Sequence, residues 1–125
     1  MSHPWQAWCA GDLQLATDNR VEVRFAHGRG HVVEVQERER GYELTSLVVD
    51  AAVAALSPYA CVEALWQRNG SARLVGFQRD AHGNIAARSW IAKAGLVAAE
   101  FQRMVRHVAQ EADRLEYLLT GADEV

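Results

Sequence analysis

The stretch from Leu96 to Leu119 constrains this chain more than any other. Its apolar side chains fall at Val97, Phe101, Met104, Val105, Val108, Ala112, Leu115 and Leu119. Steps of three and four are the 3.6-residue period of a helix with one buried stripe. Gln102, Arg103, Arg106, Gln110, Asp113 and Arg114 fill the other face. Gly121 follows the last apolar position, where a residue without Cβ stops a helix most easily. At ~1.5 Å per residue such a helix spans roughly 36 Å, the width of a small domain. A stripe that long requires a sheet or several helices beneath it.

The chain has 125 residues, which suits one domain over 1–125. Charged residues make up 23%, with a net charge of −3. The pI of about 5.9 gives no basic excess for nucleic acid. Cys9 and Cys61 are read as free thiols, which fits a reducing compartment. The N-terminus shows no basic start followed by a continuous apolar run. The longest apolar run, Ala51 to Leu56, is far short of the ~20 residues a membrane span needs. These features predict a cytoplasmic protein without nucleic-acid or membrane partners.

Met1 to Asp12 carries Trp5, Trp8 and Cys9 on one helical face, which predicts a short amphipathic helix covering an edge or face of the domain. Asp18-Asn19 reads as a turn. Val21 to Phe25, Val33 to Glu37 and Tyr42 to Val49 read as strands, joined through His27-Gly28-Arg29-Gly30 and Arg40-Gly41. Ala51 to Leu56 is helix-compatible, and Ser57-Pro58 opens a helix predicted over Pro58 to Arg68. Arg73 to Arg79 and Ile85 to Ile91 form a hairpin around Asp80-Ala81-His82-Gly83-Asn84. The expectation is an α+β fold: an antiparallel bent sheet of about five strands, a three-strand meander plus a hairpin, covered by a middle helix and the long C-terminal helix.

Chemistry is sparse. His27 and His31 flank Gly-Arg-Gly, and His82 occupies the other hairpin turn, but no thiol or carboxylate completes a metal-ligand spacing. His107 and Glu111 form an i,i+4 pair on the long helix, and Cys61 has no adjacent base. Gly-rich phosphate loops and nucleophile elbows are absent. No catalytic residue, cofactor or metal is expected. Trp66, Trp90 and Phe101 belong to separate elements that could meet over the sheet, as core or as a groove for another protein's segment. Arg68 and Asn69 read as cap and turn residues.

Trp66-Gln67-Arg68-Asn69, Leu74-Val75-Gly76-Phe77, Lys93-Ala94-Gly95-Leu96, Glu100-Phe101 and Asp113-Arg114-Leu115-Glu116 follow one another in a familiar order. With the order of elements they resemble the YbjN and type III secretion chaperone-like group of small bacterial proteins, over roughly Val21 to Gly121. The resemblance implies helices packed on a strongly bent sheet, a homodimer, and a non-catalytic role in binding another polypeptide along apolar patches or a strand edge. Members typically begin with a substantial client-capturing helix, whereas the N-terminal helix here is short. Trp5, Trp8 and Tyr59 are the expected contact residues, so Trp5→Ala and Trp8→Ala should weaken capture and leave the fold intact. The alternative is a small-molecule-binding or enzymatic domain with a pocket between sheet and long helix, and a purely structural homodimer is a third reading.

Overall fold

The computed structural model describes residues 5–26, 28–55 and 75–120. A 3₁₀ turn at Trp5–Trp8 leads into β1 (Leu13–Thr17), β2 (Arg20–Arg24), β3 (Gly30–Glu37) and β4 (Gly41–Val49). Then come α1 (Ala51–Ala54), β5 (Gly76–Arg79), β6 (Ile85–Ala92) and α2 (Ala98–Thr120). Among the described residues the strands form one six-stranded antiparallel sheet in the order β1-β2-β3-β4-β6-β5. The class is α+β, as the patterning predicts.

The strand count is six where the sequence suggested about five. The additional strand is β1. Its Leu-Gln-Leu-Ala-Thr run buries a single residue, Leu13, so its periodicity alone is weak. Pairing decides its state: Leu13 faces Val23 and Leu15 faces Val21 across the Asp18-Asn19 turn. Of the helix expected within Met1 to Asp12, Trp5–Trp8 is a 3₁₀ turn, and residues 1–4 lie outside the described residues. Meander and hairpin are also continuous, since β4 and β6 pair from Gly41↔Ala92 to Val49↔Ile85.

Glycine serves the turns where the backbone demands it. Gly28 between β2 and β3 has φ 92°, and Gly83 between β5 and β6 has φ 89°. Asp80 Oδ1 caps the latter turn by accepting from the His82 and Asn84 amides. The Asn84 side-chain oxygen accepts from the Ala51 amide and ties that turn to α1. Asp50 caps α1 by accepting from Val53 N–H at 3.0 Å. The predicted Pro58 to Arg68 helix and the start of the Arg73 strand lie outside the described residues.

Alternation along the strands puts Val21, Val23, Val33, Val35, Tyr42, Leu44, Ile85 and Ala87 on one face, and α2 covers it with Phe101, Val105, Val108, Ala112 and Leu115. This is the predicted stripe, except that Val97 precedes the helix and is exposed. Trp5 and Trp8 pack on Phe101 with ring centroids 5.6 and 5.3 Å away, and Tyr42 meets it edge-on at 5.7 Å. Burial, with the nearby Glu37 carboxylate, pushes the Tyr42 phenol up to about 12. Polar ties close the N-terminal end. Gln102 donates to the Trp8 carbonyl at 2.7 Å, and Arg106 binds both Asp12 oxygens at 2.8 and 3.0 Å.

Candidate partner-binding surface

A strand exposes its side chains alternately on two faces, so adjacent apolar residues in a strand cannot all reach one core. Val32-Val33, Leu47-Val48 and Trp90-Ile91 are such neighbours. Val33 and Val48 turn inward and are buried, and Ile91 is partly buried against the core. Their partners turn to the face opposite α2: Val32 is 43% exposed, Leu47 51% and Trp90 51%. Those consecutive pairs are the sequence signal for an apolar outer face.

Register assembles this face. Val32 stands opposite Glu22, Leu47 opposite Ala86, and Trp90 opposite Glu43. Val32, Thr45, Leu47 and Ala86 line a hollow of about 340 Å³ whose rim carries Arg20, Glu34 and Asp80. Another hollow, of about 670 Å³, runs from Trp90 past Arg88 to Gly76 and Gln78 of β5. Gly76 opens it, since a Cβ there would meet nothing within 4 Å. Gly41 does the reverse. A Cβ on it would lie 2.4 Å from Trp90 Cζ2 and 2.5 Å from the Ile91 carbonyl, so the indole lies across this glycine.

Charge frames the apolar centre. Arg38 Nε donates to Glu43 Oε1 at 2.6 Å, Arg88 bonds the other Glu43 oxygen, and Arg38 also reaches Gln36. The Arg38 hydrogen bond, followed by Arg88, holds the Glu43 carboxyl below the usual carboxylate range. Among the described residues, the sheet order ends at β1 and β5.

The residues singled out from sequence fall in several places. Trp5 is 2% exposed and belongs to the core, which corrects its assignment as a contact residue. The cause is Phe101, whose ring supplies the apolar partner that a short N-terminal segment lacks by itself. Trp8 is half-buried on the same ring, and Tyr59 lies outside the described residues. Trp90 and Phe101 do not meet, since they occupy opposite faces of the sheet; Trp66 is outside the described residues. Cys9 is a free, half-buried thiol whose burial pushes its pKa up, so it stays protonated and a poor nucleophile. Cys61, Arg68 and Asn69 lie outside the described residues, as does His27. His82 sits exposed in the β5–β6 turn, and His107 is half-buried on α2. Space between sheet and α2 is filled by Tyr42, Leu44, Phe101, Val105 and Val108, all fully buried, which leaves that part of the interface closed to a ligand.

No family model and no curated protein matches the chain. Solved structures do. The heterodimeric ExoU–SpcU complex from the type III secretion system of Pseudomonas aeruginosa contains a chain that is 20% identical, with a TM-score of 0.60, covering 98% of this chain and 100% of that one. The fold is the YbjN and type III secretion chaperone-like fold. YbjN from E. coli superposes with a TM-score of 0.51 at 15% identity, over 87% of this chain and 79% of that one. The ExsC–ExsE complex gives 0.50 at 18% identity, over 80% and 75%. In the ExoU–SpcU and ExsC–ExsE structures the chaperone-like fold occurs in complex with another polypeptide. Among the described residues, no helix is long and apolar enough to cross a membrane.

Proposed function

We infer that this protein is a non-catalytic, chaperone-like adaptor that buries an apolar segment of another polypeptide. The observation that carries the reading is the outer face of the sheet, where Val32 and Leu47 share one hollow and exposed Trp90 lines another, with the Glu43–Arg88 ion pair between them. An exposed Trp is among the side chains that most often carry binding energy at an interface. A partner strand added at β5 would gain main-chain hydrogen bonds, and its side chains on the outer face would enter the hollow that reaches Gly76 and Gln78. The two neighbouring complexes support a polypeptide as the ligand class. Contact residues on this reading are Val32, Leu47 and Trp90, with Trp8 and Tyr59 as secondary candidates.

The test uses a photo-crosslinking amino acid placed at Leu47 or Trp90 in the producing cell, with mass spectrometry of the adducts. One polypeptide should be trapped from both positions, and the same polypeptide should co-purify in a fixed ratio with the unlabelled chain. Leu47→Asp combined with Trp90→Ala should abolish that co-purification while the far-ultraviolet spectrum stays unchanged. Absence of any adduct at both positions, or co-purification that survives the double substitution, would refute binding at this face.

A further inference from the structure

On the α2 side of the sheet, a histidine is held between a strand hydroxyl and two helix carboxylates. His31 lies opposite Val23 of β2, and its side chain is only 10% exposed. Its Nδ1 is 3.2 Å from Ser46 Oγ, and the Ser46 hydroxyl donates to the Val32 carbonyl at 2.9 Å. A hydroxyl has one hydrogen. With that hydrogen on Val32, Ser46 accepts from His31 Nδ1–H; with it turned to Nδ1 instead, the ring proton sits on Nε2. In the first arrangement the Nε2 lone pair of the neutral ring faces Glu116 Oε1 at 2.9 Å and Asp113 Oδ1 at 3.8 Å. Asp113 and Glu116 stand three residues apart on α2, so both reach one point. A lone pair facing carboxylate oxygens is repulsive unless a positive centre sits between them. That centre is a second ring proton or a metal ion.

We propose that His31 Nε2, Asp113 and Glu116 bind a divalent first-row transition metal, with Zn²⁺ the best match. The three donor atoms all lie within 4.8 Å of one another. Tetrahedral zinc with ligand bonds near 2.0–2.1 Å has ligand–ligand edges of roughly 3.3 Å, and the distances from Nε2 straddle that value. One imidazole nitrogen with two carboxylate oxygens selects zinc and its neighbours over calcium, which prefers an all-oxygen shell of six to eight.

The supporting groups are in place as well. Ser46 fixes the ring tautomer through Nδ1, as outer partners do for metal-bound histidines. Arg29 Nη2 holds both Asp113 oxygens at 2.7 and 2.8 Å. It offsets one of the two carboxylate charges, so with a neutral ring the cluster keeps a net negative charge that attracts a cation. Arg29 and Asp113 also line an open cleft of about 560 Å³ with Phe25, Gln110 and Tyr117. Through it a hydrated ion arrives and retains water as its fourth ligand. Coordination would staple β3 to the last turns of α2, elements joined by groups 85 residues apart.

The experiment titrates Zn²⁺ into the untagged, EDTA-stripped full chain by calorimetry, with Co²⁺ absorption as a second probe. One equivalent should bind, Co²⁺ should develop the visible bands of a nitrogen–oxygen site, and the thermal midpoint should rise. His31→Ala should remove binding, Ser46→Ala should weaken it roughly tenfold or more, and His82→Ala should leave it unchanged. Should a variant fail to fold, imidazole ¹⁵N spectra of the wild-type chain decide: Zn²⁺ must move the His31 Nε2 signal and leave Nδ1 protonated. No binding at millimolar Zn²⁺, or binding with unmoved His31 signals, would overturn the proposal. The site lies across the sheet from the outer-face contact residues, so its failure leaves the adaptor reading untouched.

Discussion

Replacing Trp5 by alanine separates a core role from a contact role. The indole is buried against Phe101, in a ring cluster completed by Trp8 and Tyr42. Truncating a buried Trp to Ala removes its transfer free energy and leaves a cavity, at a cost of about 3–5 kcal/mol. Domains of this size have about 5–15 kcal/mol in total, so the variant should fold but with much of its margin gone. With a urea m-value of about 2 kcal/mol/M, the unfolding midpoint should fall by roughly 1.5–2.5 M. A double-mutant cycle with Phe101→Leu should return a coupling of about 0.5–1.5 kcal/mol, the usual extra worth of an aromatic pair. Equilibrium urea denaturation followed by far-ultraviolet circular dichroism measures both. A midpoint shift below about 0.3 M would mean the indole is not core, and the reasoning from Phe101 would fail.

Other substitutions probe other parts of the fold. Gly41→Ala should cost about 1–3 kcal/mol by overpacking, and Trp90→Ala in that background should recover part of it, because the Ile91 carbonyl clash remains. Calorimetric melts of the two variants check this. The Arg106 hydrogen bond holds the Asp12 carboxyl below its ordinary range. Its stabilisation is therefore present above about pH 4 and is lost as pH falls through the lowered folded value. Asp12→Asn should remove less than about 1 kcal/mol at neutral pH, since both partners are over a third exposed, and should make the acid limb of a stability–pH curve shallower. Leu47→Asp should change the unfolding free energy measured in urea by no more than about 0.5 kcal/mol, because its side chain is half exposed on the outer face.

Much of the architecture was legible because its determinants are local. The three-and-four spacing of Phe101, Val105, Val108, Ala112 and Leu115 specifies a helix with one buried stripe wherever a partner surface exists. Turn glycines and strand alternation likewise set β2, β3, β4 and β6, since backbone sterics act within a few residues. The surface was less legible. Doubled apolar residues such as Val32-Val33 announce two-sided strands, but which member is buried depends on the face that α2, distant in sequence, comes to cover.

By itself, the sequence determined the α+β class, the long amphipathic helix and the hairpin turns. Tertiary structure decided that Leu13–Thr17 is a strand, that Trp5 is core, and that His31 meets Asp113 and Glu116. The strand depends on its hairpin partner β2, and the indole and the imidazole depend on groups brought from far along the chain, Phe101 and α2. Local propensity is blind to them, because the free energy resides in contacts that exist only after the sheet and helix have packed.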